Sequence, residues 1–520
     1  MIKKILNNKF YLTLMILLPA ELLSFSAHYF DVANIVFLAV FTLILLATLH
    51  KLAYGLLIAL VELIIGSMGY LFYFDFGEAM ISIRMGIWLI VLSVWTAGEV
   101  KRALNKKNKG VTLKDQFYQI PYSIKNNYQA YFFVLFFFIA WGGINGYLSG
   151  NGFGNLFPDI NSYFYFALIL PVYSVLSSYK KSFPEVLFSL SQVFLGAVIW
   201  MSLKTLFLLY IFSHNLYTAM DALYQWVRDT GVGEITEMSE GVYRIFFQSH
   251  IFSIIGFFVL LFFLNKYLLD KKTSLKNSIK ERKYRMAVAL LALSCMLSVV
   301  IIGFSRSFWV GFLAGMIMWL FFTLKQYGPK RTLISAIGIL LAGFISLGLI
   351  ASIVNFPYPE PGGRFDAARA ASSRAKQTTK GEAAVSSRWS LLPKLWNEIK
   401  DDPIPGRGYG ATITYTSSDP RVLERTSNGR YTTFAFEWGW LDIWLKIGIF
   451  GLMTYMAIMG KLFLDGYSIV SRNRWLTTGL ITGVIILAAV NFFTPFLNHP
   501  LGIGYLIITA VLLDKFKGNI

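Results

Sequence analysis

Charged residues and cysteine are scarce in this sequence. Asp, Glu, Lys and Arg make up only 14% of its 520 residues, against roughly 25% in an ordinary soluble domain. The single cysteine, Cys295, lies inside an apolar run and allows neither an intramolecular disulfide nor a cysteine-rich metal site. The 5 histidines do not cluster at metal-ligand spacing, and no Walker-type Gly-Lys-Ser/Thr motif is present. The sequence therefore predicts no metal site, no cofactor and no nucleotide-hydrolysing site.

Hydrophobic residues dominate instead, at 56% of the chain, and phenylalanine alone occurs 46 times. A soluble fold has no core large enough to bury so much apolar surface. Runs of about 20 apolar residues are typical of membrane-spanning helices. A chain in lipid becomes helical because its backbone has to satisfy its own hydrogen bonds. The predicted fold class is therefore an all-α, polytopic integral membrane helix bundle.

About 14 spanning segments are predicted from the lengths of the apolar runs. They lie at about 10–27, 32–50, 52–74, 80–99, 129–149, 161–179, 187–212, 250–268, 286–304, 307–325, 332–354, 438–462, 474–494 and 496–514. Residues 1–354 hold the first eleven, with an outer loop at 213–249, and residues 437–520 hold the last three. Between these two regions, residues 355–436 are predicted to form a large extracytoplasmic loop.

The formal net charge of +19 would indicate a nucleic-acid partner in a soluble protein. Here most basic residues lie in short segments between apolar runs, as in cytoplasmic loops, so no nucleic-acid partner is predicted. With a cytoplasmic N-terminus, alternation of the helices places the basic loops 100–128 and 269–285 and the C-terminus on one side. Because the Lys/Arg bias of short loops sets orientation, both termini are predicted to be cytoplasmic.

The large loop has two parts. Residues 361–387 are small and polar, and they are predicted to be flexible because they have little apolar surface to bury. Residues 388–400 are predicted to form an amphipathic helix in the membrane interface. The residues predicted to share its apolar face are Trp389, Leu392, Trp396 and Ile399. Ser387 is a candidate N-cap, and Pro393 is expected to bend or shorten the helix.

Charged side chains near the membrane rim are candidate functional residues, because charge at membrane depth is costly. Arg306 lies in GFSRSFWVG, residues 303–311, at the predicted tight outer turn between two long helices. This turn leaves no room for a solvated loop, so the guanidinium is expected at the outer rim. The alternative interpretation is a snorkelling anchor at a helix end. His250 and His499 also fall on the outer face, within reach of such a site.

Three further arginines lie on predicted outer segments. Arg244 precedes the eighth span, and Arg388 begins the amphipathic helix. Arg407 is flanked by Gly406 and Gly408, and glycine lets a backbone approach a ligand closely. Arginine matches phosphate with two parallel hydrogen bonds. The four arginines together therefore indicate a shared anionic ligand.

Glu437 is the acidic candidate. It lies where the large loop returns to the membrane, and a carboxylate there is a candidate general base. Asp442 is expected to pair with Lys446, four residues later on one helix face, which favours a structural role for Asp442. Glu62 and Arg84 lie within apolar runs, and they are predicted to partner each other or the backbone rather than to form a proton path.

Four features together resemble a known family. SRSFWVG, residues 305–311, is similar to a Ser-Arg-Ser/Gly-x-x-x-Gly turn, and KIGIFG, residues 446–451, to Glu-x-Gly-x-x-Gly. The run from Arg388 through PIPGRGYG, residues 403–410, is similar to a pattern of arginine, tryptophan and Pro-Leu-x-Gly-x-Gly. The fourth feature is the large outer loop between two late helices. These features resemble the bacterial O-antigen ligase and polymerase superfamily of membrane glycosyltransferases, many of which also have an arginine at the place of Arg244.

One position departs from the ligases of this family. Eleven residues before the glycine that corresponds to Gly448, ligases usually carry His-Asn, whereas this chain has Glu437 and Trp438. Polymerase-like members often have a glutamate there with aspartates following, and Asp442 fits that pattern. The resemblance therefore favours a polysaccharide polymerase or a related transferase over a lipopolysaccharide lipid A–core ligase.

The resemblance implies an inverting, metal-independent enzyme of the bacterial cytoplasmic membrane. Its donor would be a glycan on a polyprenyl diphosphate such as undecaprenyl diphosphate, with the lipid tail in a groove between helices. Its acceptor would be a hydroxyl of a glycan or a lipid-linked molecule. The substrate-binding residues implied are Arg244, Arg306, Arg388 and Arg407. Arg306, Arg244 and Arg388 would hold the diphosphate and stabilise charge on the departing group. Glu437 would accept the hydroxyl proton, or orient the acceptor if the site needs no strong base.

Two other classes of function are open to such a sequence. A secondary transporter or a lipid-linked-glycan flippase places charges near the midplane on broken helices, usually with internal repeats. Here the candidate charges crowd one face and no repeat is evident. A scaffold for a cell-envelope complex would instead use the outer loop to bind another protein.

Overall fold

A computed structural model of the chain describes residues 8–77, 79–107, 128–179, 183–239, 241–267, 279–363, 383–417, 420–423, 426, 428–469 and 474–518. The helices are α1 Asn8–Tyr29, α2 Ala33–His50, α3 Leu52–Ile65, α4 Ile83–Lys107, α5 Gln129–Leu148, α6 Phe153–Asn161, α7 Ile169–Ser178, α8 Phe183–Ser213, α9 Tyr217–Asp229, α10 Ile251–Tyr267, α11 Ile279–Ile302, α12 Arg306–Val354, α13 Ala383–Asp401, α14 Pro420–Leu423, α15 Gly439–Ile469, α16 Arg474–Val490 and α17 Pro500–Lys517. Three antiparallel hairpins pair β1 Tyr73–Asp75 with β2 Met80–Ser82, β3 Glu234–Ser239 with β4 Val242–Phe246, and β5 Ile413–Thr416 with β6 Arg430–Thr433.

The bundle presents apolar side chains on its outside. Leu38 is 54% exposed, Phe133 76% and Phe344 71%, and an apolar surface of this kind suits lipid rather than water. In the described part of the chain, nine helices are long and apolar enough to cross a membrane, and three shorter helices are also apolar. The protein is therefore a multi-pass membrane protein, while the number of 14 spans and the large outer loop stay predictions.

α12 is the longest of these helices, and it contains two apolar runs. Gly328 in its middle has a left-handed φ of 77°. Pro329 follows and lacks the N–H group that a helix interior uses. The helix is therefore broken between the runs predicted at 307–325 and 332–354.

The predicted span at 52–74 is wrong in its second half. α3 ends at Ile65, and Gly69 has a φ of 104°, outside the helical region. The chain then forms β1 and β2. These hairpins are also what the all-α prediction missed, because strands of three to six residues carry too short an alternating pattern to be recognised.

α10 and α17 lie at the centre of the bundle. The apolar window of α10 is 78% buried, and this helix packs against α11, α12 and α16. α17 packs against α3, α7 and α15. Both helices are hydrophobic all round because protein rather than lipid surrounds them.

Two buried ion pairs neutralise charge inside the bundle. Arg84 donates two hydrogen bonds to Glu62, of 2.8 and 3.0 Å, which confirms their predicted partnership. Lys204 lies 2.7 Å from Glu21 in a second pair, which joins residues 183 positions apart and has no signature in the sequence. A low-dielectric interior tolerates such charges because each has its partner.

α13 is longer than the sequence predicts. It begins at Ala383, so Ser387 lies inside the helix and is not its N-cap. The Ser387 hydroxyl instead lies 2.9 Å from that of Ser417. Pro393 lies within the helix without ending it. Most of the segment predicted to be flexible, residues 364–382, lies outside the described residues.

α13 buries an aliphatic face against protein. The side chains that it buries are Leu391, Leu395 and Ile399, and they pack against α15 and β5. Of the residues predicted to share the apolar face, Ile399 is buried, whereas Trp389 and Trp396 are 60% and 40% exposed. The helix therefore covers the start of α15 and presents its tryptophans outward, and their place in the membrane interface stays a prediction.

The turn segment 403–410 lies between α5 and α15 and touches the backbone of both. Tyr409 N donates to Gly142 O at 3.0 Å, on α5, and Ile449 N of α15 donates to the first residue of the segment at 3.1 Å. A methyl group at Gly408 would collide with the α5 backbone, and one at Gly406 would lie 2.6 Å from a carbonyl oxygen of α15. Gly406 and Gly408 are thus required by the close approach of the two helices.

A buried charge cluster lies beside this segment. Lys446 Nζ lies 2.6 Å from Asp442 Oδ1, as the four-residue spacing predicts, and it also contacts Asp159 of α6. Gly410 N donates to Asp159 Oδ2 at 2.9 Å. The cluster ties α6, segment 403–410 and α15 together. Removal of one member would leave an uncompensated charge in the interior.

Gly448→Ala is expected to destabilise the protein by more than about 2 kcal/mol, because α15 breaks here with a φ of 71° and an added methyl group would collide with the carbonyl oxygen of Ile404. The matched control is Gly460→Ala, in the same helix with no atom within 4 Å of its added methyl group. This control is expected to leave stability unchanged or to raise it slightly. Thermal unfolding of the detergent-purified protein, followed by tryptophan fluorescence, measures both. If Gly448→Ala and Gly460→Ala had equal midpoints of thermal unfolding, the close contact between segment 403–410 and the break in α15 would not stabilise the protein as described.

Candidate functional site

Arg306 is the first residue of α12, at the turn that follows α11. Only three residues separate Ile302, the last of α11, from Arg306, as the sequence predicts. Phe304 in this turn has a φ of 42°, a conformation that non-glycine residues rarely adopt and that clusters at functional sites. The tight turn thereby holds Arg306 at the end of the bundle with a partly buried side chain.

Arg244 on β4 is held against the same turn. Its Nε donates to Gly303 O at 3.0 Å, and its guanidinium lies over the Phe246 ring, 4.9 Å from the centroid. Glu234 on the paired strand lies 3.6 Å from Nη1. Burial lowers the pKa of Arg244, Glu234 raises it, and the positive charge of Arg388 lowers it. A second guanidinium therefore lies nearby.

Arg388 and Glu437 form an ion pair across the site. Arg388 lies on α13, and Glu437 lies two residues before α15 begins. Nη2 of Arg388 donates to Oε1 of Glu437 at 3.3 Å, and Nε contacts the other carboxylate oxygen. The side chains are 34% and 49% exposed. A ligand can therefore reach the pair from solvent.

Arg244, Arg306 and Arg388 together form what we call the arginine cluster. Arg306 lies within electrostatic range of both other members, although the three come from different elements. Like charges repel, so this grouping is unfavourable by itself. Glu234 pairs with Arg244, and Glu437 pairs with Arg388. Three guanidinium groups within electrostatic range of one another are suited to an anionic ligand.

A chain of hydroxyl groups adjoins Arg306. The Ser305 and Ser307 hydroxyl oxygens are 3.1 Å apart, and Thr494 donates to Ser307 Oγ at 3.1 Å. Both serines belong to the sequence motif around Arg306. Thr494 comes from the segment between α16 and α17, and no spacing in the sequence links it to that motif. Helix packing alone brings it to the site.

An exposed aromatic surface lies beside the ion pair. Trp389 follows Arg388, and its ring centroid lies 5.6 Å from that of Trp438. Trp438 follows Glu437, and its Nε1 donates to Arg388 O at 3.1 Å. The two tryptophans thus brace the ion pair and offer an open aromatic face next to it. The sequence contains no signal for this pairing, because it joins α13 to the start of α15.

Arg407 lies in a separate acidic cluster. Its guanidinium is 3.1 Å from Glu398, 3.4 Å from Asp401 and 2.8 Å from Asp402. These ion pairs compensate its charge and fasten segment 403–410 to the end of α13. They favour a structural role, and substrate binding by Arg407 stays a prediction.

His250 and His499 both make structural contacts. The Thr205 hydroxyl lies 3.0 Å from His250 Nε2, and Phe247 N donates to His250 Nδ1 at 3.3 Å. His499 precedes α17, and its Nδ1 accepts a hydrogen bond from Leu501 N at 3.3 Å. Within the described ranges, no group of three or more His, Cys, Asp and Glu side chains has the geometry of a metal site.

Residues 291–456 match a family model described as O-antigen ligase. No curated protein and no solved structure matches the chain. The matched segment contains Arg306, Arg388 and Glu437, and Arg244 precedes it. Through residues 291–456, the chain is therefore similar to the O-antigen ligase and polymerase superfamily, which supports the resemblance seen in its motifs.

Proposed function

We propose that the protein transfers or polymerises glycan from a polyprenyl-diphosphate-linked donor onto an acceptor hydroxyl, at the outer face of the bacterial cytoplasmic membrane. The observation that carries this proposal is the convergence of the arginine cluster beside Glu437. Guanidinium groups bind phosphate oxygens through charge-assisted hydrogen bonds, often in pairs. The O-antigen ligase match over the same residues supports this class of reaction.

In the proposed reaction, the acceptor hydroxyl oxygen attacks the anomeric carbon of the donor glycan. The bond between that carbon and the phosphate oxygen breaks, and its electron pair leaves with the polyprenyl diphosphate. The arginine cluster stabilises the charge that develops on this departing group. Glu437 accepts the proton of the hydroxyl. Attack opposite the diphosphate inverts the anomeric configuration in a single step, without a metal.

The identity of the proposed base favours polymerisation over transfer to a lipid core. Ligases that this chain resembles usually carry histidine at the place of Glu437. Arg388 holds the Glu437 carboxylate in place until the donor binds, and the released carboxylate then orients the hydroxyl of an incoming sugar and accepts its proton. The acceptor in this proposal is therefore the growing end of a glycan.

The exposed face of Trp389 is the proposed platform for this acceptor sugar. One face of a pyranose ring presents C–H groups, which carry partial positive charge and pack on the negative face of an aromatic ring. Trp389 is 60% exposed and adjoins Arg388, which binds Glu437. A sugar stacked there would bring a hydroxyl towards the proposed base.

Arg306→Ala is expected to lower the transfer rate on the order of 10²–10³-fold, because it removes a donor aimed at the departing diphosphate. The assay follows the product formed by purified protein from a lipid-linked oligosaccharide. Arg430→Ala is the matched control, since Arg430 is an exposed arginine on β6 outside the arginine cluster. Full activity of Arg306→Ala, at an equal amount of folded protein, would remove the central catalytic claim.

Glu437→Gln is expected to lower kcat about 10²–10³-fold, since the amide cannot accept the hydroxyl proton, and not to raise the KM for the donor, since the amide no longer competes as an anion for Arg388. Glu437→His should retain more activity than Glu437→Gln, because imidazole accepts a proton near neutral pH. Glu360→Gln, at an exposed glutamate, controls for the loss of one negative charge. A wild-type kcat for Glu437→Gln would show that the carboxylate is not the base.

Trp389→Ala is expected to raise the KM for the acceptor glycan up to about tenfold, from the loss of aromatic stacking, and Trp389→Phe should largely retain it. Trp396→Ala is the control, because Trp396 is also exposed on α13 but pairs with Trp444. If both alanine variants weaken membrane association and neither changes the acceptor KM, these tryptophans serve the membrane interface instead.

The same reconstituted protein separates the transferase from the alternative of a flippase. Labelled lipid-linked oligosaccharide is incorporated into proteoliposomes together with an acceptor. A transferase lengthens or releases the labelled glycan, whereas a flippase moves the label across the bilayer with the glycan unchanged. The latter result would overturn the proposed function.

A further inference from the structure

A cavity of about 420 Å³ lies inside the bundle, away from the arginine cluster. Its walls come from α3, α7, α8, α10, α16 and α17, and they are almost wholly apolar. It follows α10 from Phe252 to Phe263, which is about 16 Å at 1.5 Å per residue. This is close to half of the roughly 30 Å hydrocarbon core of a bilayer. The cavity therefore has the length of one membrane leaflet.

The polar mouth of the cavity lies at the end of the bundle opposite the arginine cluster. α8 lines it with residues 185–195, near the start of that helix. The other end of α8 adjoins the Arg244 hairpin, where the ring centroids of Phe212 and Tyr243 are 5.5 Å apart. Residues 195 and 212 of one helix are about 25 Å apart along its axis. The cavity and the candidate active site are thus separate.

Two lysines, two tyrosines and one carboxylate, that of Glu185, surround this mouth. Lys9 Nζ donates to Ser189 Oγ at 2.7 Å. The Lys51 ammonium lies 5.3 Å from the Tyr179 ring centroid and 5.8 Å from that of Tyr54. Within the described ranges, neither ammonium group has a carboxylate oxygen within 4.0 Å. Both positive charges are therefore available to an anion at the mouth.

We propose that this cavity binds one acyl chain of an anionic phospholipid, whose phosphate lies between Lys9 and Lys51. The apolar wall favours a hydrocarbon chain over water, and the lysines complement the headgroup charge. Basic pockets between membrane helices recognise anionic lipid headgroups in this way. The donor's polyprenyl tail is a poorer fit, because it would enter from the arginine cluster and leave the lysines without their phosphate. The proposal does not depend on the glycosyltransferase activity.

Native mass spectrometry of the full-length protein in detergent tests the headgroup. The probes are dioleoyl phosphatidylglycerol and dioleoyl phosphatidylcholine, which share their acyl chains and differ in charge. The wild type is expected to bind phosphatidylglycerol more tightly. The double variant Lys9→Gln, Lys51→Gln should lose about fivefold in affinity per lysine, about 25-fold together. Lys101→Gln with Lys330→Gln, at two exposed lysines outside the cavity, should change nothing.

A cavity-filling variant tests the acyl chain. Ser191→Phe places a ring in the cavity and is expected to abolish binding of phosphatidylglycerol. Leu203→Phe is the control, on the same helix but 44% exposed on the outside and not part of the wall. Tryptophan-fluorescence melting checks that each variant is folded. If Ser191→Phe does not fold, the lysine variants decide the question.

Three results would overturn the proposal. The first is equal binding of the two phospholipids by the wild type, and the second is unchanged selectivity in the lysine double variant. The third is a polyprenyl phosphate that displaces phosphatidylglycerol and is itself excluded by Ser191→Phe, because this would assign the cavity to the donor lipid. Each of these outcomes leaves the catalytic proposal intact, since none involves the arginine cluster.

Discussion

The contact between segment 403–410 and the break in α15 is the constraint on which the candidate site depends. Gly448, with its positive φ, breaks α15. The buried Lys446 contacts Asp159 and Asp442 and thereby holds α6 and α15 together. α13 runs directly into this segment and carries Arg388. Glu437 lies two residues before the start of α15. Both halves of the ion pair are therefore positioned from one anchor, several turns away from the chemistry proposed for them.

The arginine cluster is expected to lower the stability of the folded protein. Three guanidinium groups within electrostatic range of one another repel, and Glu234 and Glu437 each pair with one of them. Inside the bundle, Arg84 lies against Glu62 and Lys204 against Glu21, each beside an opposite charge. Proteins depart from local consistency chiefly at functional sites. The grouping of three like charges here is accordingly better explained by a ligand than by packing.

Hydropathy predicted a helical multi-pass membrane protein, because lipid requires long apolar runs whatever the tertiary contacts, but it extended the span at 52–74 beyond the end of α3 at Ile65. The tight turn before Arg306 and the pairing of Glu62 with Arg84 followed from local sequence and from the high energy of unpaired charge in an apolar medium. Contacts between elements that are distant in the sequence could not be predicted in this way. How helices and loops dock determines three such features. They are the ion pair of Arg388 with Glu437, the carboxylates around Arg407 and the outward tryptophans of α13. Periodicity identified an amphipathic helix at α13 but could not decide which neighbour would cover it.

The bond between Arg388 and Glu437 has a consequence for the order of events in catalysis. While the two side chains hold each other, the carboxylate is neutralised and cannot activate a nucleophile well. In the proposed reaction, the donor diphosphate carries more negative charge than one carboxylate, so it would compete for Arg388 and release Glu437 beside the anomeric carbon. Donor binding would thus precede acceptor activation in a compulsory-order kinetic scheme. Before the donor binds, Glu437 would still be paired with Arg388 and could not activate a water molecule. This pairing would protect the lipid-linked sugar from hydrolysis.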